Sequence, residues 1–169
     1  MSTFRYARPQ IAVHWLAALA IVFLLITGTF VLAELPNAAP KAGNLRIHMI
    51  VGALAGALVV SRIVLRRRLP APPPVTFERL TRAGHLALNV VVVLLAASGA
   101  GLAVQSGALD AVFGSGALPP DFKAFALRKV HGLLSRLAMA LIALHVLAAL
   151  YHQFILRDRL LPRMGLGKP

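Results

Sequence analysis

Apolar residues along the chain gather in four long blocks, at 11–33, 49–61, 86–104 and 130–156, with the polar residues concentrated between them. They run in blocks rather than in the short amphipathic stripes of a soluble helical core. A helix needs about 20 predominantly apolar residues to cross the hydrocarbon of a bilayer, and the second block reaches that length only with its flanks. The pattern predicts helices over about 11–33, 45–66, 81–105 and 126–157. The first loop, 34–44, contains Pro36 and Pro40, and the last, 106–125, is rich in glycine and proline. Between them a proline-rich linker at 70–74 is expected to be stiff and extended. The expected fold class is all-α: an integral membrane four-helix bundle forming a single domain over residues 1–169.

Composition strengthens this picture. The 169 residues are 59% hydrophobic and only 14% charged, against about 25% charged in a soluble domain. Cysteine is absent, which excludes disulfides, thiolate metal sites and iron–sulfur clusters. The first apolar block is too long for a signal-peptide core and is expected to remain as the first helix.

The formal charge of +13 reports topology. Arg5 and Arg8 precede the first helix. Arg66, Arg67, Arg68, Arg79 and Arg82 crowd the middle connection, and Arg157, Arg159, Arg163 and Lys168 follow the last helix. Four spans put all three groups on one side, and the positive-inside rule makes that side cytoplasmic, with both termini. Anionic lipid headgroups are the expected partners of these charges, and nucleic acid is not.

Six histidines fall on the hydrophobic segments, where an ionisable side chain is costly and by default functional. His131 and His145 are fourteen residues apart on the fourth helix. At about 100° and 1.5 Å per residue they share a face and lie roughly 21 Å apart along it. His48 and His131 come out near the outer surface. Near the inner surface, His145 can meet His14, His85 or His152. Imidazoles on facing helices, clamping a flat cofactor from both sides, suit six-coordinate haem iron, whose filled axial positions favour electron transfer over oxygen binding. Gly52 and Gly56, four and eight residues after His48, leave space beside it for a porphyrin face; Gly28 and Gly99 lie at the outer level, fourteen after His14 and His85. Close helix packing explains such glycines equally well.

Residues 6–15 (YARPQIAVHW), 46–48 (RIH) with Gly52 and Arg62, and 130–132 (VHG) with 143–145 (ALH) together resemble the bacterial cytochrome b561 family, over essentially the whole chain. The resemblance implies a bacterial inner-membrane bundle enclosing two b-type haems. It implies that the outer haem iron is held by His48 and His131 and the inner by His14 and His145. The stand-alone members include a superoxide oxidase, which implies superoxide as electron donor and ubiquinone as acceptor. The family is also similar to the haem-binding membrane subunits of formate dehydrogenases and hydrogenases.

Superoxide is an anion, so a positive collar at the outer site would raise its on-rate. Lys41, Arg46, Lys123, Arg128 and Lys129 fall on the outer side, against Glu34, Asp110 and Asp121. Arg46, Arg128 and Lys129, close in sequence to His48 and His131, are the steering candidates. Pairing with haem propionates is a compatible role. Arg62, fourteen after His48, is a candidate for an inner propionate or a quinone oxygen, and His85 and His152 for quinone contacts. Arg136 lies about 140° around the helix from His131, with snorkelling as its only assigned role. The competing function is an electron-transfer subunit passing electrons between quinone and a redox protein partner. A histidine relay for cation or proton transport is disfavoured, because no carboxylate lies mid-membrane.

Overall fold

The computed structural model describes residues 4–70, 73 and 76–167. Most of the expected linker at 70–74 and Lys168 lie outside the described residues. Four helices are long and apolar enough to cross a membrane, and no strand occurs among the described residues. Helix α1, Arg8–Thr27, continues through a π-helical turn at Gly28–Leu32. Helix α2 is Ala39–Arg68, α3 is Glu78–Gln105 and α5 is Ala126–Phe154. Two short helices lie between and after them: α4, Ala108–Phe113, and α6, Leu160–Arg163.

The differences from expectation sit at helix ends. Helix α2 starts at Ala39 rather than near 45, because Pro40 falls in its first turn. There the amide has no intrahelical acceptor to lose, and the ring's fixed φ suits a helix. Helix α3 starts at Glu78, whose carboxylate meets Arg82 one turn on at 2.5 Å. Of the arginines expected in the middle connection, Arg66, Arg67 and Arg68 end α2, while Arg79 and Arg82 lie on α3. The 106–125 connection is not all loop. Gly107, at φ 71°, turns the chain into α4, and Gly114 and Gly116 close its far end, where the Asp110 carboxylate leaves no room for a side chain.

Helix α1 packs on α2 and α3 packs on α5, with α2 against α3 joining the two pairs. Ala17, Val59 and Val92 are buried where α1, α2 and α3 meet, flanked by Ile21, Leu58 and Ile63. Among the described residues α5 makes no comparable contact with α1 or α2. The bundle therefore has two gaps along one face of α5. Large side chains such as Leu19, Phe30, Leu133 and Leu147 are exposed on the outside, as expected where lipid is the solvent.

At the loop end, the Asn37 side-chain amide donates to the carbonyls of Pro119 and Pro120 at 3.0 and 2.9 Å. At the end carrying the chain termini, the Trp15 indole donates to the Met164 carbonyl at 3.0 Å and the Tyr6 amide to that of Arg163 at 3.1 Å. Each end of the bundle is thus tied by chain segments outside the long helices.

Candidate functional site

Four of the six histidines face one another in pairs across the two gaps. Toward the loop end, His48 of α2 and His131 of α5 have ring centroids 6.4 Å apart with planes at 73°. Toward the terminal end, His14 of α1 and His145 of α5 also stand 6.4 Å apart, at 65°. Two metal–imidazole bonds of about 2.0–2.1 Å, each extended by about 1.1 Å from nitrogen to ring centre, require a separation of about 6.3 Å. Both pairs match that requirement. His85 of α3 also lies beside His145, at 5.3 Å, short of that separation by about 1 Å. The helices carrying that pair, α3 and α5, also pack directly, leaving no slot for a flat cofactor.

Histidine pairs, rather than cages, are the donor set. No group of three or more His, Cys, Asp or Glu side chains that could hold a metal ion occurs among the described residues. Two axial donors suit a metal whose remaining positions are filled by a macrocycle. The loop-end pair opens on a cavity of about 1290 Å³, lined mainly by apolar residues. That is above the about 300–1,000 Å³ of ordinary small-molecule pockets. The residues present therefore fit b-type haem.

The glycines act in three ways. A Cβ at Gly28 would come 3.3 Å from Cε1 of His48, and one at Gly99 would come 3.2 Å from Cε1 of His131. These two make room for the imidazoles themselves, which their spacing from His14 and His85 did not reveal. Gly52 is open to the cavity, as expected beside a porphyrin face, whereas a Cβ at Gly56 would come 3.2 Å from that of Ala96 on α3, so Gly56 serves close packing.

The basic residues divide likewise. Lys41, Lys123, Arg128 and Lys129 line the loop-end cavity, with Arg136 further down its wall. Lys41 also donates to the Leu35 carbonyl at 2.8 Å and lies over the Phe122 ring. Arg46 is used differently. Both Nε, at 2.9 Å, and a terminal nitrogen donate to the Val112 carbonyl, with the guanidinium over Phe113, so Arg46 pins α4 to α2.

At the terminal end, Arg62 donates to the Asn89 side-chain oxygen at 3.4 Å, within electrostatic reach of His14, His85 and His145. His85 buries its Nδ1 without a hydrogen-bond partner among the described residues. His152 is buried, and its Nδ1 lies 2.6 Å from an oxygen of Asp158. Arg157 and Arg159, on either side of Asp158, adopt positive φ of 58° and 52°. Such left-handed backbone costs a non-glycine residue about 1–2 kcal/mol. The strained turn brings the carboxylate back under α5, where the Asp158 amide donates to the His152 carbonyl at 2.9 Å.

Three polar partners escaped the sequence reading: Asn89, the Asp158 carboxylate and Ser98. Ser98 lies 3.1 Å from Nδ1 of His131. Its only signal was a small polar residue beside Gly99 within an apolar run.

A membrane bundle that presents two imidazole pairs at iron-spanning separation, at two depths, defines the class: a transmembrane cytochrome of the b type. The model for prokaryotic cytochrome b561 matches residues 5–167. A probable superoxide oxidase CybB of Yersinia pestis is 30% identical, covering 95% of each chain. Cytochrome b561 homolog 1 of Escherichia coli K12 is 28% identical over 95% of this chain and 96% of its own, and homolog 2 is 30% identical over 97% and 92%. No solved structure gives a significant match. The chain belongs to the prokaryotic cytochrome b561 family. It is a multi-pass bacterial membrane cytochrome that binds b-type haem and carries electrons.

Proposed function

We propose that the protein oxidises superoxide at the loop end of the bundle and reduces ubiquinone at the terminal end, through two b-type haems. The loop-end haem is assigned to His48 and His131 and the other to His14 and His145. The observation that carries this reading is the equal 6.4 Å separation of the two pairs across helices that do not otherwise pack. When bound, each haem supplies a one-electron couple. The loop end is assigned to the periplasm and both termini to the cytoplasm, because Arg5, Arg8, Arg66, Arg67, Arg68 and the arginines after α5 gather at the terminal end.

The chain's own side chains support the two half-reactions. Lys41, Lys123, Arg128 and Lys129 around an apolar cavity concentrate an anion such as superoxide. Arg46 adds positive charge from behind α4 rather than from the cavity wall. Superoxide oxidation releases dioxygen and one electron and needs no proton donor. Reduction of a quinone to quinol takes two electrons and two protons, so two superoxide ions serve each quinone. The hydrogen-bonded His152–Asp158 pair lies at the cytoplasmic end, where those protons enter. Arg62 and His85 are assigned to a propionate or quinone oxygen near the inner site.

The likeness to a probable superoxide oxidase supports this donor. The other two relatives carry cytochrome names that specify no donor, which favours as second reading an electron-transfer subunit fed by a redox protein. The test is the visible spectrum of the purified oxidised protein as an enzymatic superoxide source is started, with and without superoxide dismutase. Dismutase-sensitive growth of the reduced haem band, reversed by ubiquinone, is expected. Reduction by dithionite but not by superoxide would move the function to partner-fed transfer.

A further inference from the structure

We infer that Ser98 of α3 is a positioning residue for the loop-end site: its hydroxyl holds His131 in the tautomer that presents Nε2 to the iron and strengthens that nitrogen as a donor. The inference rests on the haem assignment proposed above.

A serine hydroxyl has one proton to give and two lone pairs to receive with. The Ser98 hydroxyl lies 3.1 Å from the Leu95 carbonyl oxygen, three residues back on α3. A carbonyl only accepts, so this contact offers a place for the hydroxyl proton. The same oxygen lies 3.1 Å from Nδ1 of His131, and with its proton committed it can only accept. In that arrangement Nδ1 carries the hydrogen. In a neutral imidazole this leaves Nε2 bare.

Ser98 is 7% exposed, so no solvent competes for this arrangement. Gly99, the next residue, leaves the room that lets the His131 ring approach α3. A serine–glycine step on α3 thus sets both the distance and the tautomer of a ligand carried by α5. The facing ligand has only half of this. Gly28 accommodates the His48 ring, but Nδ1 of His48 is buried with no hydrogen-bond partner among the described residues. The two histidines assigned to the loop-end haem are thus unequal, His131 being held and His48 not.

An acceptor on the far nitrogen makes a ligating histidine a stronger donor. Stronger donation favours the oxidised iron and lowers its potential. Ser98→Ala is therefore expected to retain both haems and to raise the midpoint potential of the loop-end haem alone in a spectroelectrochemical titration. It is also expected to change that haem's low-spin electron paramagnetic resonance signal. Ser98→Cys, a weaker acceptor of similar size, is expected to shift the same potential less. Ser98→Thr, which keeps the hydroxyl, is expected to restore it.

His131→Ala identifies which signal belongs to the loop end. Unchanged potentials and resonance signals in both Ser98→Ala and Ser98→Cys, or equal shifts of both haems, would overturn the inference. Loss of the loop-end haem alone in Ser98→Ala, rescued by threonine, would support it, whereas loss of both haems would mark a merely structural serine. If His131→Ala itself kept both haems, the ligand assignment would fail instead.

Discussion

The two histidine pairs are alike in separation and unlike in surroundings. The His48–His131 pair looks into a wide apolar cavity with lysines and arginines on its wall, roofed by α4, which Arg46 pins in place. Near the His14–His145 pair lie a third histidine, the Arg62–Asn89 contact and, further toward the chain end, buried His152 with its half-buried partner Asp158. In the proposed function the first end attracts an anion and the second holds and passes protons. The contrast teaches that two histidine pairs alike in spacing are set apart by what surrounds them rather than by the histidines themselves.

The largest effect expected is on cofactor content. His131→Ala and His48→Ala should each lose the same haem and keep most of the other, whereas His85→Ala should keep both, as read by pyridine haemochrome content per chain. Equal loss of both haems from a loop-end variant would break the assigned division. Gly99→Val should come next. Its Cβ would crowd the His131 ring at 3.2 Å, and its branches more so, so the loop-end haem should be bound weakly while the other stays. Full occupancy of both would remove the glycine's role.

A smaller effect is expected at the other end. Asp158→Asn should slow ubiquinone-driven reoxidation by about a hundredfold, the lower end of the scale for losing a positioned proton donor. It should leave superoxide-driven reduction of the haems unchanged in stopped flow. Equal slowing of both would erase the functional contrast between the ends. Smallest is Arg128→Gln with Lys129→Gln. The superoxide-driven rate should fall by about tenfold at low salt and lose most of its ionic-strength dependence, while reduction by a neutral chemical donor is unaffected. A preserved salt dependence would sharpen the comparison by transferring the attraction to Lys41 and Lys123.

Much of this was legible in the residues. Four apolar blocks impose four spans because a backbone in lipid must satisfy its own hydrogen bonds, which leaves the helix as the solution for such a segment. Helix ends were less legible. Pro40 reads as a loop residue until its place in the first turn of α2 is seen, and α4 is too short for a periodic signal. The site divided in the same way. The fourteen-residue step from His131 to His145 follows from helix geometry alone, but their partners do not.

The sequence by itself determined the class of fold, the placement of the basic clusters and the histidines that could ligate, since these depend on residue type, period and length. Only the tertiary structure set His14 and His85 at different separations from His145, 6.4 and 5.3 Å. That difference depends on which helices pack and which stand apart: α3 lies directly on α5, while α1 makes no comparable contact with it among the described residues. It also withdrew Arg46 from the cavity wall, returned Asp158 to His152 through a strained turn and set Ser98 behind His131. Each is a contact between segments distant in sequence or around a turn of irregular backbone, and no period along the chain encodes either.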